Sequence, residues 1–577
     1  MITKAALNLL DAVETIEMRS LSWGYSEGSL SSADLMALGP PSAVDELIDA
    51  QLLIELSGST GGTRYRSRFS EMVRLMSRLR QLFPNKPWIG APRLVSDFRI
   101  DRRPRRYPKR DIAPAEVATR NVDTISGTPM RRAVWQALTG GIPGLAAFQE
   151  RATTRLLGAP PDSGTIVTAG TGSGKTIAFY LPALMRIAEE LDDLHWTKAI
   201  AIYPRTELLK DQFAEAYRMA RRLDSTLARQ GKRKIKIGAF FGSTPTSCQQ
   251  PYFSDDWRET RSGRICPWLR CPSCDGELAW RNTDRTDKIE RLCCLQPGCG
   301  KVIGPDEVVL TRQSLNSGPP DVLFTTSEML NQRLSDHWYR GLFGVGVPHQ
   351  RKPFIALLDE VHTYSGTSGA QAALVLRRWR QAVDSPIIWA GLSATLAEAR
   401  RFFAELTGVR EDRVEEVSPE SSEMEAEGAE YQIILQGDPG TRASLLSTSI
   451  QTAMLVARTL DPTVDGFSSG SFGRRLFVFT DDLDVTNRLF DDLRDAEAYD
   501  LFGRRDPTRQ PLAALRGTAP DNAARDKDGQ RWRMCEKVGH NLLVPLAIGR
   551  TTSQDAGVNA RANVIVATAA LEVGFND

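Results

Sequence analysis

Residues 169–176, Ala-Gly-Thr-Gly-Ser-Gly-Lys-Thr, directly follow the apolar segment Thr165–Thr168, and no other stretch constrains the fold as tightly. A glycine-rich turn between a buried strand and a helix lets successive backbone N–H groups point into one concavity, which binds phosphate oxygens. Gly170, Gly172 and Gly174 supply the backbone freedom, Thr171 and Ser173 belong to the same binding loop, and the following helix adds the positive end of its dipole. Lys175 is placed to neutralise the β/γ-phosphates of ATP and Thr176 to hold Mg²⁺. Ala169 stands where the strict pattern has a first glycine, an exchange of one small residue for another.

Around this loop the chain alternates short apolar strands with helices. Ala199–Tyr203 precedes Pro204-Arg205-Thr206-Glu207, Val322–Thr325 precedes a helix, Phe354–Leu358 precedes Asp359-Glu360-Val361-His362, and Ile387–Leu392 precedes Ser393-Ala394-Thr395. Such alternation gives an α/β fold with a parallel sheet covered on both faces, its functional residues at the carboxyl ends of the strands. Asp359, at a strand end, can bind the water shell of Mg²⁺. Its neighbour Glu360 can orient the attacking water or accept its proton. His362 is expected to link this site to Ser393 and Thr395.

At 577 residues the chain is too long for one core. Residues 1–83 read as helices, at Val44–Leu56 and Arg66–Phe83, around a Gly/Ser/Thr break at 57–63. They form either a winged helix-turn-helix or a helical packing domain. Residues 84–130 are rich in Pro and Arg and read as an extended basic linker, which either tracks a phosphate backbone or simply connects. The first α/β domain covers 131–410. An acidic stretch at 411–430 reads as an exposed linker. A second α/β unit, 431–577, has strands at Gln432–Leu435, Leu476–Thr480 and Val564–Ala567. The chain stops at Asp577 immediately after a motif-bearing strand, so a fragment of a longer protein is expected.

Six of the eight cysteines fall between Cys266 and Cys299. Cys271-Pro-Ser-Cys274 and Cys294-Leu-Gln-Pro-Gly-Cys299 make two paired elements, separated by nineteen residues. Four thiolates at that spacing suit tetrahedral Zn²⁺ in a ribbon occupying about 255–305. Cys293 can take the place of Cys294, and Cys266 is a spare. The metal is expected to hold together a module with little apolar core of its own.

The order Gly-Ser-Gly-Lys-Thr, Asp-Glu-Val-His, Ser-Ala-Thr resembles superfamily 2 helicases over about 150–577. Phe148-Gln149 is similar to their adenine-reading glutamine motif. Pro204-Arg205-Thr206-Glu207-Leu208 and Thr325-Thr326-Ser327-Glu328-Met329-Leu330 resemble motifs Ia and Ib, which contact the nucleic-acid backbone. Phe477–Thr480 resembles motif IV, and Ala567–Gly574, with Thr568 and Gly574, resembles motif V. The motif V aspartate aligns with Asn576, and motif VI lies beyond the last residue. The resemblance implies two RecA-like domains (the second incomplete), ATP and Mg²⁺ as cofactors beside Zn²⁺, and a chain that binds ATP but hydrolyses it poorly in this form.

The Cys-Pro-x-Cys ribbon and Leu571-Glu572-Val573-Gly574-Phe575 look like large helicases of bacterial phage defence. The DISARM helicase and the helicase of the 7-deazapurine DNA-modification cluster are the nearest types. This implies DNA as the partner and other defence subunits as further ones. An RNA helicase, or an ATP-switched sensor or scaffold that does not unwind, are the alternatives. The net charge of +2 does not by itself announce a nucleic-acid binder. No apolar run is long enough to span a bilayer, and the N-terminus is unlike a secretory signal, so a cytoplasmic protein without a membrane partner is expected.

Overall fold

The computed structural model describes residues 2–56, 62–170, 172–394, 396–441, 445–464, 467–468, 470, 472–500, 502–517, 523–552 and 561–568. Of residues 207, 441, 463–464 and 467–468 only the backbone is described. The chain divides into two compact units: Met1–Arg105 with Gly428–Val573, and Arg106–Glu427.

In the first unit the helix Lys4–Leu21 precedes β1 (Leu30–Ser31), helices Ser32–Leu38 and Pro41–Asp49, β2 (Leu53–Leu56) and β3 (Arg64–Ser67). These strands form an antiparallel sheet in the order β1-β3-β2. Residues 1–83 therefore combine helices with a small antiparallel sheet. The expected single helix Val44–Leu56 is instead helix, turn and strand. Gln51 takes a positive φ of 55° there, which ends helical geometry. The expected helix Arg66–Phe83 is shorter, Arg68–Ser77, and is capped by Ser67.

The N-terminal region is not a separate body, as the sequence suggested. Phe69, Met72, Val73 and Met76 share one core with Met454, Leu455, Leu489 and Val564. Arg68, buried, donates to the Thr459 carbonyl at 2.9 Å and to Asp461 Oδ1 at 2.8 Å. The two contacts use Nε and Nη1, Nη2 has no hydrogen-bond partner among the described residues, and the guanidinium lies 4.4 Å from the Phe472 ring centroid.

The expected linker 84–130 also differs. It contains β4 (Val95–Pro108) and the helices Pro114–Arg120 and Val122–Ile125, and the helix Pro129–Thr139 begins at its end. Prolines are compatible with β4 because it is half of a two-stranded ribbon, so unpaired backbone positions remain for Pro104.

The second unit carries an eight-stranded sheet. Its strands are β5 (Gly164–Thr168), β6 (Ala199–Tyr203), β7 (Ile237–Phe240), β13 (Val308–Val309), β14 (Val322–Thr326), β15 (Ile355–Leu358), β16 (Ile388–Ser393) and β17 (Val414–Val417). Between β7 and β13 lies the insert, with β8 (Glu259–Thr260), β9 (Gly263–Arg270), β10 (Glu277–Arg281), β11 (Leu292–Cys294) and β12 (Val302–Ile303) in a separate antiparallel sheet.

The large sheet has the order β13-β7-β14-β6-β15-β16-β5-β17, and every pairing in it is parallel. β5, β6, β15 and β16 are buried at every position, as strands covered on both faces must be. β17 falls inside the expected acidic linker 411–430. It is a sheet edge, and only Val414 and Val417 turn inward while Glu415 and Glu416 face out.

β18 (Met424–Gly437) pairs with β4. It includes Gln432–Leu435, which were expected in the second parallel sheet. Their alternating exposure suits a one-sided ribbon instead. After the short pair β19 (Thr463–Val464) and β20 (Phe467–Ser468) comes a three-stranded parallel sheet. It contains β21 (Leu476–Thr480), β22 (Ile548–Thr551) and β23 (Val564–Thr568) in the order β21-β23-β22. No helix among the described residues is long and apolar enough to cross a membrane.

Candidate nucleotide site and metal centre

Sheet order decides what meets what. β14, β6, β15, β16 and β5 stand side by side, so the loops after them line up along one edge of the second unit. The phosphate loop follows β5, Ser393 ends β16 and Asp359-Glu360 follow β15, three neighbouring strands. Pro204-Arg205 follow β6 and Thr326 ends β14, the next two strands.

The helix Lys175–Glu189 starts at Gly174, whose φ of 82° requires a residue without Cβ. Gln149 is buried on the helix Ala147–Leu157, and its Nε2 donates to the Gly174 carbonyl at 2.9 Å. Its Oε1 accepts from the Ala146 N–H at 2.9 Å. One end of the amide therefore meets the loop and the other the start of its own helix. Lys175 Nζ donates to the Ser393 carbonyl at 3.1 Å, joining the loop to the end of β16.

From there a chain of polar contacts runs to the acidic pair. Ser393 Oγ lies 3.4 Å from His362 Nδ1, and His362 Nδ1 lies 3.4 Å from Glu360 Oε2. Glu360 sits at φ 46°, ψ 49°, a left-handed conformation unusual for a residue with a side chain. Asp359 is 4% exposed and accepts from the Glu360 N–H at 2.8 Å. Burial pushes its carboxyl up to about 7, and the neighbouring Glu360 adds to the rise against the pull of Lys175. A buried carboxyl with so little compensation fits a site completed by a cation. Thr176 and Asp359 are the residues that would hold Mg²⁺, which polarises phosphate oxygens when bound.

Beneath the site, the Tyr180 and Tyr203 hydroxyls lie 2.6 Å apart, both buried. They connect the phosphate-loop helix to the last residue of β6, just before Pro204. Sequence reasoning missed this pair, because two tyrosines in apolar segments carry no spacing signal.

The expected nucleic-acid residues divide. Arg205 is exposed and Pro204 and Thr206 partly so, as a surface contact requires. Thr326 caps the helix Ser327–Arg333 by accepting from the Met329 N–H at 3.2 Å. Thr325 is a correction: it is fully buried, and its hydroxyl donates to the Phe240 carbonyl at 2.9 Å, so its side chain serves the sheet. Thr568 ends β23 in the first unit and is partly buried. Thr171, Thr395 and Gly574 lie outside the described residues.

In the insert, the sulfurs of Cys271, Cys274, Cys294 and Cys299 all lie within 4.8 Å of one another. Cys271 and Cys299 are 3.5 Å apart, Cys274 and Cys294 3.4 Å. A tetrahedron with Zn–S bonds near 2.3 Å has edges of about 3.8 Å, so the set fits one zinc ion. Burial raises the Cys271 thiol, but N–H groups of Ser273 and Cys274 and the partner cysteines outweigh it and bring it to about 7. Gly276 packs closely on the cluster: a Cβ there would meet Gln296 Cβ at 3.1 Å, Cys274 Sγ at 3.2 Å and Cys294 Sγ at 3.4 Å. Cys293 is buried on the opposite side of β11, and Cys266 is buried in β9, so neither joins the cluster.

The insert does not lack a core of its own, contrary to expectation. Trp257, Trp268 and Trp280 are buried together, with ring centroids of Trp257 and Trp268 4.8 Å apart and of Trp257 and Trp280 5.8 Å apart.

Residues 146–249 match the DEAD/DEAH box helicase family. The chain is also similar to Druantia protein DruE of Escherichia coli (strain UMEA 4076-1), 25% identical over 292 residues, which are 43% of this chain and 16% of DruE. Among solved structures, the DUF1998 helicase MrfA bound to DNA is similar at 15% identity and TM-score 0.46, covering 83% of this chain and 46% of that one. The DEAD-box helicase Mss116 bound to ssRNA and UDP-BeF follows at 12% identity and TM-score 0.43, covering 81% of this chain and 68% of that one. The chain thus spans about a sixth of DruE and under half of MrfA.

Proposed function

We propose that this chain is the motor part of an ATP-driven helicase or translocase acting on DNA. The observation that carries the reading is the contact chain Lys175–Ser393–His362–Glu360. It joins the phosphate loop, the acidic box and the Ser-Ala-Thr segment in one continuous path. In that arrangement the loop N–H groups and Lys175 bind the triphosphate, Thr176 and Asp359 hold Mg²⁺, and Glu360 accepts the proton of the attacking water. His362 and Ser393 pass the state of Glu360 to the end of β16. Arg205, just after the neighbouring strand of the same edge and exposed, and Thr326, at the end of the next, would follow that change and meet a phosphate backbone.

The finer reading is a bacterial defence or DNA modification-restriction helicase with a zinc ribbon at Cys271, Cys274, Cys294 and Cys299. Its support is the ribbon's position inside the first motor domain and the similarity to DruE. ATP turnover by the full-length protein, measured with duplex DNA, single-stranded DNA and RNA as activators, tests the proposal. Stimulation by DNA and loss of it in Lys175→Ala are the expected results. Stimulation by RNA alone would favour the RNA-helicase alternative, and nucleotide binding without any turnover would favour an ATP-switched sensor.

A further inference from the structure

The basic run ending at Arg110 does more than connect. In the second unit, Arg110 Nη2 donates to the Gly172 carbonyl at 3.1 Å. A Cβ on Gly174 would stand 2.7 Å from Gln149 Nε2 and 3.2 Å from Arg110 Nη2. One on Gly172 would stand 3.2 Å from the Tyr107 ring. Gln149 and Arg110 therefore flank the phosphate loop side by side, each donating to one of its carbonyls.

The backbone of this segment is fixed from both flanks. Ile112 and Leu145 exchange N–H···O bonds of 3.2 and 2.8 Å. The Arg110 carbonyl approaches Gly144 so closely that a Cβ there would lie 2.0 Å from the oxygen. On the other side Lys109 donates from its N–H to the Glu423 carbonyl at 2.8 Å and from Nζ to the Ser422 carbonyl at 3.0 Å. Glu423 is in turn paired with Arg151, on the helix that carries Gln149. The strap is anchored, while the Arg110 guanidinium at its end is exposed.

We propose that Arg110 is a positioning residue for the nucleotide's polyphosphate. The Ser173 N–H of that peptide donates to the Gly170 carbonyl at 3.3 Å. A cation drawing on the Gly172 carbonyl polarises the peptide and strengthens this N–H as a donor toward a phosphate that takes the carbonyl's place. Its charge also adds to that of Lys175. The Tyr107 ring leaves little room for a side chain at Gly172. This inference rests on the nucleotide reading of the loop.

The test is direct titration of ATP, ADP and adenosine on the full chain, for wild type, Arg110→Ala, Arg110→Lys and Lys175→Ala. Arg110→Ala should weaken ATP and ADP about tenfold, the effect of one charge-assisted hydrogen bond. Arg110→Lys should recover part of the loss, adenosine should bind as in wild type, and KM for ATP should rise without an equal fall in kcat. ATP affinity within twofold of wild type in Arg110→Ala overturns the proposal. So does an equal weakening of adenosine, which would show a merely structural role. Wild-type ATP binding by Lys175→Ala would instead sink the nucleotide reading of the loop, a result separable because that variant leaves Arg110 in place.

Discussion

In the eight-stranded sheet, Lys175 meets Ser393 across 218 residues of sequence, and Ser393 meets His362 across a further 31. In the insert, Cys271 and Cys299 are 28 residues apart, and the other two cysteines lie between them. The first site is a product of topology: three neighbouring parallel strands present three loops at one edge. The second is a product of two hairpin-like turns that need only local geometry. A site of the first kind fails when one side chain changes but keeps its shape, since the strands hold it. A site of the second kind should lose its shape when its ligands change, yet leave the sheet alone.

Glu360→Gln gives the largest effect. Hydrolysis is expected to fall on the order of 10²–10⁴-fold, because the amide cannot accept the water's proton, while ATP affinity persists. Loss of ATP binding together with hydrolysis would mean that Glu360 is part of the frame. Lys175→Ala comes next, with turnover falling on the order of 10²–10³-fold as the phosphates lose a pre-positioned charge. Zinc content and melting temperature of this variant should match wild type, and a large drop in either would erase the contrast between the two sites.

Changing Cys271 and Cys274 together to Ser should remove the one ion expected per chain and open residues 255–305 to protease. ATP affinity should move less than about twofold, within the scatter expected for distant sites. The tryptophan cluster predicts a partial effect: the turns loosen while β9 and β10 stay folded around Trp257, Trp268 and Trp280. Collapse of the whole insert in hydrogen exchange would show that the metal, not the tryptophans, holds it.

A smaller effect concerns the first unit, where burial serves neither kind of site. Burial, only partly offset by bonds from Ser67, pushes Glu17 up to about 7. Its folded pKa is raised, so the stability its neutral form contributes is complete below the unfolded value of 4.5 and is lost as pH rises through 7. Glu17→Gln should flatten that loss, recovering about 2–3 kcal/mol at pH 8 and nothing at pH 4. Chemical unfolding at the two pH values checks it, and equal shifts at both would place the effect elsewhere.

The same contrast explains what could be read from sequence. The central strands were legible: Ala199–Tyr203 is apolar at every position because both faces are covered. The four cysteines were legible because their spacing is local, though choosing Cys294 over Cys293 needed the register of β11 against β10. The edges were not legible. Val414-Glu415-Glu416-Val417 looks like an acidic linker because only two of its residues face inward. β4 hides behind Pro104 and a run of arginines, and its partner β18 lies more than 300 residues away. The fusion of residues 1–105 with 428–573 left no mark in either segment, since Phe69 and Met454 are ordinary core residues until they are seen to touch. Thr325 misled for the opposite reason: a motif resemblance marks a position on the chain, not the direction its side chain takes.

The left-handed backbone of Glu360 bears on how such a site would respond to selection. A residue with a Cβ held there costs on the order of 1 kcal/mol relative to glycine. Glu360→Gly should therefore yield a protein slightly harder to unfold and unable to turn over ATP. A screen that rewards thermostability alone would drift toward glycine at this position, and only a requirement for hydrolysis would keep the acid there.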